Sequence, residues 1–410
     1  MAFFGVPLSG LIASQDQLSS VSNNLANLDT VGFKDQTVSF SDLFAQSSAT
    51  NASNDPIEQG LGVTSSQTNS DFTDGGISST GIASNMALSG NGFFVVQGNT
   101  GAQAYTRAGD FTANSSGYLT TPNGENVLGY GATNGVVSTS GILQPIQVGL
   151  GSVIPASPTS SFSVSANLNA TSAVGTTYAS TLSVYDSLGS PHVLTVNYAK
   201  TASNAWSYSV DVPTADTGAA TTQVASGTLS FDSSGNLTAP TGTVAVAIPS
   251  FTDGAAAMNM KWNLDDVNGA ATITQTSLGS TTSATHQDGQ GSGTLLSYAV
   301  QADGTVEGTY SNGQTNALGQ VAIATFANTQ GLLRTGNNDY QASPGSGSAA
   351  IGVAGTGGRG KITGSSVEGS NVDVAAEFSK LIVAQQAYSA NAKTITTFQQ
   401  VSQATIAMIQ

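Results

Sequence analysis

Residues 370–395 read SNVDVAAEFSKLIVAQQAYSANAKTI. Val374, Phe378, Leu381, Gln385, Tyr388, Ala392 and Ile395 alternate at spacings of four and three, and Phe398, Val401, Ile406 and Ile409 continue the series. That period predicts one long helix with a narrow seam, the pattern of a helix that lies against a partner helix. A Ser or Asn cap at Ser370-Asn371 opens it, and the acidic residues Asp373 and Glu377 suit the positive end of the helix dipole.

The other end of the chain carries a matching signal. Leu11, Leu18 and Leu25 recur every seven residues after Leu8, Ile12, Val21 and Leu28 widen the stripe, and no proline falls between Leu8 and Leu28. A helix is expected from about residue 7 to 28, with Asn27 and Gly32 in the exit turn because both tolerate the left-handed conformation that ends a helix. Two stripes must be buried. The pattern leaves two ways open: a hairpin within one chain, or ordering against copies in a polymer.

Between the helices the period falls to two. Short alternating runs, among them GFFVVQ (92–97), 181–185, 193–198, 206–212, 227–231, 244–248, 295–301, 305–310 and 321–326, are separated by turn signals such as SSGY, DSSGN and ADGT. IPASPTS (154–160) and THQDGQGSG (285–293) break the composition. The fold class expected is mixed and mainly β: long terminal helices form a coiled-coil-like inner domain, and nested β-rich domains lie outside it. The boundaries read as 1–30 with 370–410 for the inner domain and 31–70 with 361–369 for a connector. Residues 71–145 with 286–360 form an inner β domain, and 146–285 an inserted outer one. Nesting brings the ends of each domain together, so both terminal helices leave on one side.

Composition narrows the function. Only 8% of residues are charged, against about 25% in an average soluble protein. Lys+Arg 9 against Asp+Glu 24 leaves a net charge of -15, which repels a phosphate backbone, so nucleic acid is not an expected partner. With Cys 0 there is no disulfide or zinc-thiolate site. Residues 1–20 lack a basic segment and a cleavage signature, and no apolar run is long enough to span a membrane.

VAGTGGRGKIT (353–363) nearly spells a phosphate-binding loop. Ile362 stands where Ser or Thr would hold Mg²⁺, however, and no helix starts there, so the glycines read as turns and a joint between layers. His192 and His286 lack metal-ligand spacing, the aspartates sit in turns beside Gly or Asn, and Trp206 and Trp262 read as core anchors. No metal, cofactor, small-molecule substrate or catalytic residue is expected. A hydrolase would need an acid, base and nucleophile set that is not assembled here. A secreted β-sandwich adhesin would suit the Ser/Thr/Gly-rich middle but has no need of paired terminal helices.

SNNLANLDTVGFK (22–34), after Leu8-Ser9-Gly10-Leu11, resembles the N-terminal signature of bacterial flagellar rod and hook proteins, and VEGSNVDVAAEFSKLIVAQQAYSANAKTI (367–395) resembles their C-terminal one. LSVYDSLGSPHVLTVNYAK (182–200) and GTLSFDSSGNL (227–237) resemble the hook's inserted domain, while SGNGFFVVQG with RAGDF (107–111) resembles the shared inner β domain. The large insert favours a hook over a distal rod protein, which stays the near alternative. Gln386, where Arg is common, and the acid-free tail TTFQQVSQATIAMIQ (396–410) depart from the pattern.

The resemblance implies a non-enzymatic extracellular subunit that polymerises into a curved tube, a universal joint carrying torque from rod to filament around an export channel. It also implies type III export without a cleaved signal, and contacts with rod, hook cap and hook-filament junction proteins. The polymerisation interface then falls on Leu8, Leu11, Leu18, Asn24, Leu25 and Asn27 of the first helix and on Phe378, Leu381, Tyr388, Ala392, Ile395 and Phe398 of the last. Gly32, Phe33, Lys34, Gly357 and Gly360 serve connector and turns.

Overall fold

A computed structural model describes residues 5–43, 46–50, 56–98 and 100–409. Residues 1–4 of the expected inner domain, residues 44, 45 and 51–55 of the expected connector, Asn99 and Gln410 lie outside the described residues. The chain is mainly β with a long helix at each end, and it divides into two compact units. The first comprises residues 1–149, 297–308 and 315–410, the second 150–296 and 309–314.

In the first unit the N-terminal helix spans Gly5–Ala26, displaced from the expected 7–28 at both ends. Pro7 sits in its first turn, where a missing N–H breaks no intrahelical bond. The Asn27 N–H reaches back to the carbonyls of Asn23 and Asn24 at 3.2 and 3.1 Å, and Gly32 takes φ +66°, so the chain turns out two residues early. The C-terminal helix spans Val374–Ile409. Its cap is Asp373, not Ser370 or Asn371: the Asp373 carboxylate accepts the N–H groups of Ala375 and Ala376 at 2.8 and 3.1 Å.

Chain segments flanking the two helices pair with one another before either reaches the main sheet. Gln36–Asp42 pairs antiparallel with Val63–Ser70 and packs on the N-terminal helix. Ile77–Ser79 pairs with Ser366–Glu368, and Met86–Ser89 with Lys361–Gly364. The main sheet of this unit runs Thr315–Thr325, Asn126–Thr133, Phe93–Gln97, Gln103–Thr106, Asp339–Gln341 and Leu333–Gly336. Phe93–Gln97 is apolar at four consecutive positions because both faces are covered. Phe94 and Val96 join a core with Phe111, Leu119 and Ile323, while Phe93 and Val95 join another with Tyr105, Tyr130 and Tyr340.

The second unit packs two sheets on one core. Thr177–Tyr185, Pro191–Ala202, Ala205–Asp211, Gln223–Phe231 and Leu237–Ala239 form an antiparallel meander. The other sheet is built around Ser161–Asn169, which pairs parallel with Met258–Asn263 and Ile273–Thr276 and antiparallel with Thr281–Gln287. Strict alternation of buried and half-buried residues along Ser161–Asn169 and Ala205–Asp211 turns one face of each inward. Trp206, Trp262, Tyr198 and Phe162 fill the space between.

Candidate functional site

Near the exit of the N-terminal helix, a chain with few charges buries several of them. Lys34 and Glu368 are fully buried and paired, Nζ to Oε1, at 2.6 Å. Lys34 also donates to the Thr73 carbonyl at 2.7 Å, and Glu368 Oε1 accepts the Gly75 N–H at 2.9 Å. Arg107 Nη1 lies 3.4 Å from both Glu368 Oε2 and Asp74 Oδ1. One carboxylate thus serves two cations and a backbone N–H. Burial pulls the Lys34 pKa below its ordinary value, and the Glu368 hydrogen bond and charge offset that only in part.

A second polar cluster joins this root to both helices. Asn24, fully buried, donates to Asp35 Oδ1, to the Gln36 carbonyl at 2.9 Å and to Glu377 Oε2 at 3.0 Å, and its own oxygen accepts the Gln36 N–H at 3.0 Å. Asn371 accepts the Asp35 N–H at 2.7 Å and donates to the Asp71 carbonyl at 2.9 Å. Lys380 lies 2.5 Å from Glu377 and 3.8 Å from Asp35. Burial raises the Asp35 carboxyl; the Lys380 charge opposes that rise and the Glu377 charge adds to it.

From this root the helices run antiparallel. Asn24 meets Glu377, and Gly10 approaches Asn391 so closely that a Cβ on it would lie 2.8 Å from Nδ2. The two pairs are fourteen residues apart on each helix, which sets Gly5 level with Thr396. Residues 397–409 therefore continue beyond the described start of the N-terminal helix.

The buried residues are Pro7, Ala13, Ser14, Val21 and Asn24 on one helix and Glu377 and Ala384 on the other, mostly small or polar with Val21 the exception. Of the residues expected at a polymer interface, Leu11, Leu18, Leu25, Asn27, Leu381, Ala392 and Ile395 are half-buried. Leu8, Phe378, Tyr388 and Phe398 are exposed, and only Asn24 is fully buried. Val6, Ile12, Ile382, Val383, Val401, Ile406 and Met408 are exposed as well. The large apolar side chains thus stand mainly outside the helix pair.

At the root, Gly32, Phe33 and Lys34 are all buried. A Cβ on Gly32 would lie 2.6 Å from the Ala108 nitrogen, and the Arg334 guanidinium sits 5.9 Å over the Phe33 ring. Gly357 takes φ +58° in the turn before Lys361–Gly364. Gly360 instead is needed for close approach: a Cβ there would lie 2.3 Å from the Ser89 oxygen.

The sequence reading does not single out Asp35, Arg107 or Glu368 and takes Asn371 for a helix cap rather than an acceptor of the Asp35 N–H, since partners far apart in sequence leave no periodic trace. Charge scarcity was the usable signal: a Lys and a Glu inside VGFK and VEGS are among few charges in the chain.

Models of known families cover most of the chain. The model described as flagella basal body rod protein matches residues 6–34, that of the flagellar hook protein FlgE/F/G D1 domain 87–169, that of the flagellar basal body protein FlaE D2 domain 152–290, and that of the flagellar basal body rod FlgEFG protein C-terminal 363–408. The flagellar hook protein FlgE of Salmonella typhimurium is 35% identical over 97% of this chain and 98% of its own. That of Escherichia coli K12 is 34% identical over the same shares, and that of Treponema pallidum 33% identical over 96% of each. In fold, the chain is similar to the crystal structure of Helicobacter pylori flagellar hook protein FlgE2, with a TM-score of 0.53 and 15% identity over 70% of this chain and 98% of that one. The chain therefore belongs to the flagellar hook protein FlgE family, as a structural subunit of the flagellar hook and not an enzyme.

Proposed function

We propose that the terminal helices, residues 1–30 and 370–410, form the inner polymerisation layer of a curved tube around an export channel. Residues 31–70 and 361–369 connect that layer to a β domain of residues 71–145 and 286–360 and to an outer one of residues 146–285. The observation that carries this reading is the helix pair itself. Its buried positions are mostly small or polar, while Leu8, Ile12, Phe378, Ile382 and Val383 are exposed on the pair and Val401 and Ile406 on the segment that runs beyond it, and such an apolar surface supports contact with other copies. The low charge of the outer domains supports sliding, wet contacts between neighbours, which suits a joint that bends while it transmits torque.

On this reading the subunit is exported through the type III apparatus without a cleaved signal. It assembles beneath a hook cap on the rod and later meets hook-filament junction proteins. Removing residues 397–410 tests the helical layer. Electron microscopy of concentrated protein is expected to show tubes for the full chain and none for the truncation, while the β domains melt as before. Tubes from the truncated chain would remove the role given to that segment.

A further inference from the structure

His192 in the second unit stands between two carboxylates. Its Nε2 lies 3.0 Å from Asp186 Oδ2, and its Nδ1 lies 3.0 Å from Asp216 Oδ2. His192 and Asp186 are buried, and the imidazole stacks on Phe251 at 4.3 Å.

A third carboxylate, Asp253, completes the group: one ligand atom from each of Asp186, His192 and Asp253 lies within 4.8 Å of the others. The Asp186 carboxylate is aimed by its turn, with Oδ1 accepting the N–H groups of Leu188 and Ser190. Among the described residues no Lys or Arg pairs with Asp186, Asp216 or Asp253. Carboxylate oxygens and an imidazole nitrogen converge with no Lys or Arg beside them, a donor set that suits a divalent cation.

We propose that Asp186, His192 and Asp253 form a binding site for a divalent transition cation such as Zn²⁺. The ion replaces the proton on His192 Nε2 and is bound by one oxygen each from Asp186 and Asp253, with water completing the shell. Tetrahedral zinc with bonds of about 2.1 Å places its ligands about 3.4 Å apart, near the 3.0 Å already separating His192 Nε2 from Asp186 Oδ2. Asp253 closes the remaining distance from an exposed turn. Asp216 is a positioning residue: it accepts the Nδ1–H and holds the ring in the tautomer that leaves Nε2 free to ligate. The bound ion would tie the contiguous Asp186–Ser190 turn and strand starting at Pro191 to the turn after Phe251, which lies far along the chain.

The test is calorimetric titration of Zn²⁺ into the chelator-stripped full chain, paired with thermal melts read by tryptophan fluorescence. Trp206 and Trp262, the two tryptophans of the chain, both lie in the second unit. Expected are one tight equivalent per chain, a raised melting midpoint, and affinity lost by about 10–100-fold in both Asp253→Asn and Asp216→Asn. Because Asp253 is exposed, Asp253→Asn should fold even if Asp216→Asn does not. Absence of a stoichiometric site, an unmoved midpoint, or undiminished affinity in Asp253→Asn would overturn the assignment.

Discussion

At the scale of the residue, Glu368 shows why a charge-poor chain keeps a carboxylate in a buried turn. It neutralises Lys34, faces Arg107 and takes the Gly75 N–H, so removing it strands two buried cations. Glu368→Leu is expected to destabilise the first unit by about 3–5 kcal/mol. Lys34→Met should cost less, since Arg107 and Gly75 still face the carboxylate. Urea denaturation followed by circular dichroism at 222 nm orders the two; a larger loss for Lys34→Met would show that the lysine is the hub.

Asp339 works in the opposite sense. Burial and the nearby Glu125 carboxylate push its pKa up to about 7, so the native state holds a proton that the unfolded chain releases near pH 4. Its contribution to stability is fully present below pH 4 and is lost as pH rises through 7, at a slope of at most about 1.4 kcal/mol per pH unit. Asp339→Asn should therefore flatten the pH dependence of the urea midpoint between about pH 4 and 7, and an unchanged slope would remove Asp339 as its source.

At the scale of the element, the two helices were legible from their periods, but the faces they turn to each other were not. Heptad leucines and the Phe378 stripe suggest an apolar seam, whereas Gly10 lies against Asn391 and the buried positions include the small residues Ser14 and Ala384, which let two backbones approach closely. Gly10→Leu is expected to pry the pair apart near Asn391, with amide hydrogen exchange of residues 384–395 accelerated and the β-sheet amides unaffected. Uniform protection would mean that the helices do not depend on this contact. The helix exit is stricter. Gly32 combines φ +66° with backbone atoms at 2.6 Å from a Cβ, so Gly32→Ala should cost more than about 1 kcal/mol in the same urea assay.

At the scale of the whole molecule, two units with separate cores answer to different probes. Helical ellipticity reports chiefly on the first unit, and tryptophan fluorescence on the second alone. Trp262→Ala, which empties a fully buried site, is expected to lower the stability of the second unit by about 3–5 kcal/mol and to leave the 222 nm transition in place. A matched fall in both signals would show the units to unfold as one.

The sequence by itself determined the class of the fold and the family, because both rest on local chemistry: periods of seven and two, turn residues, and two signature segments at opposite ends. It also marked a strand at 92–97, although as an alternating run; burial of both its faces was decided by the two cores it separates. Tertiary structure decided the rest. It selected which helix face is inward, made Asp373 the cap, paired Lys34 with Glu368 across the length of the chain, and brought Asp186, His192, Asp216 and Asp253 to one point. Those choices depend on distances between residues far apart in sequence, which close only when the chain has folded, and a buried charge or close-packed glycine is recognisable only once its neighbour is in place.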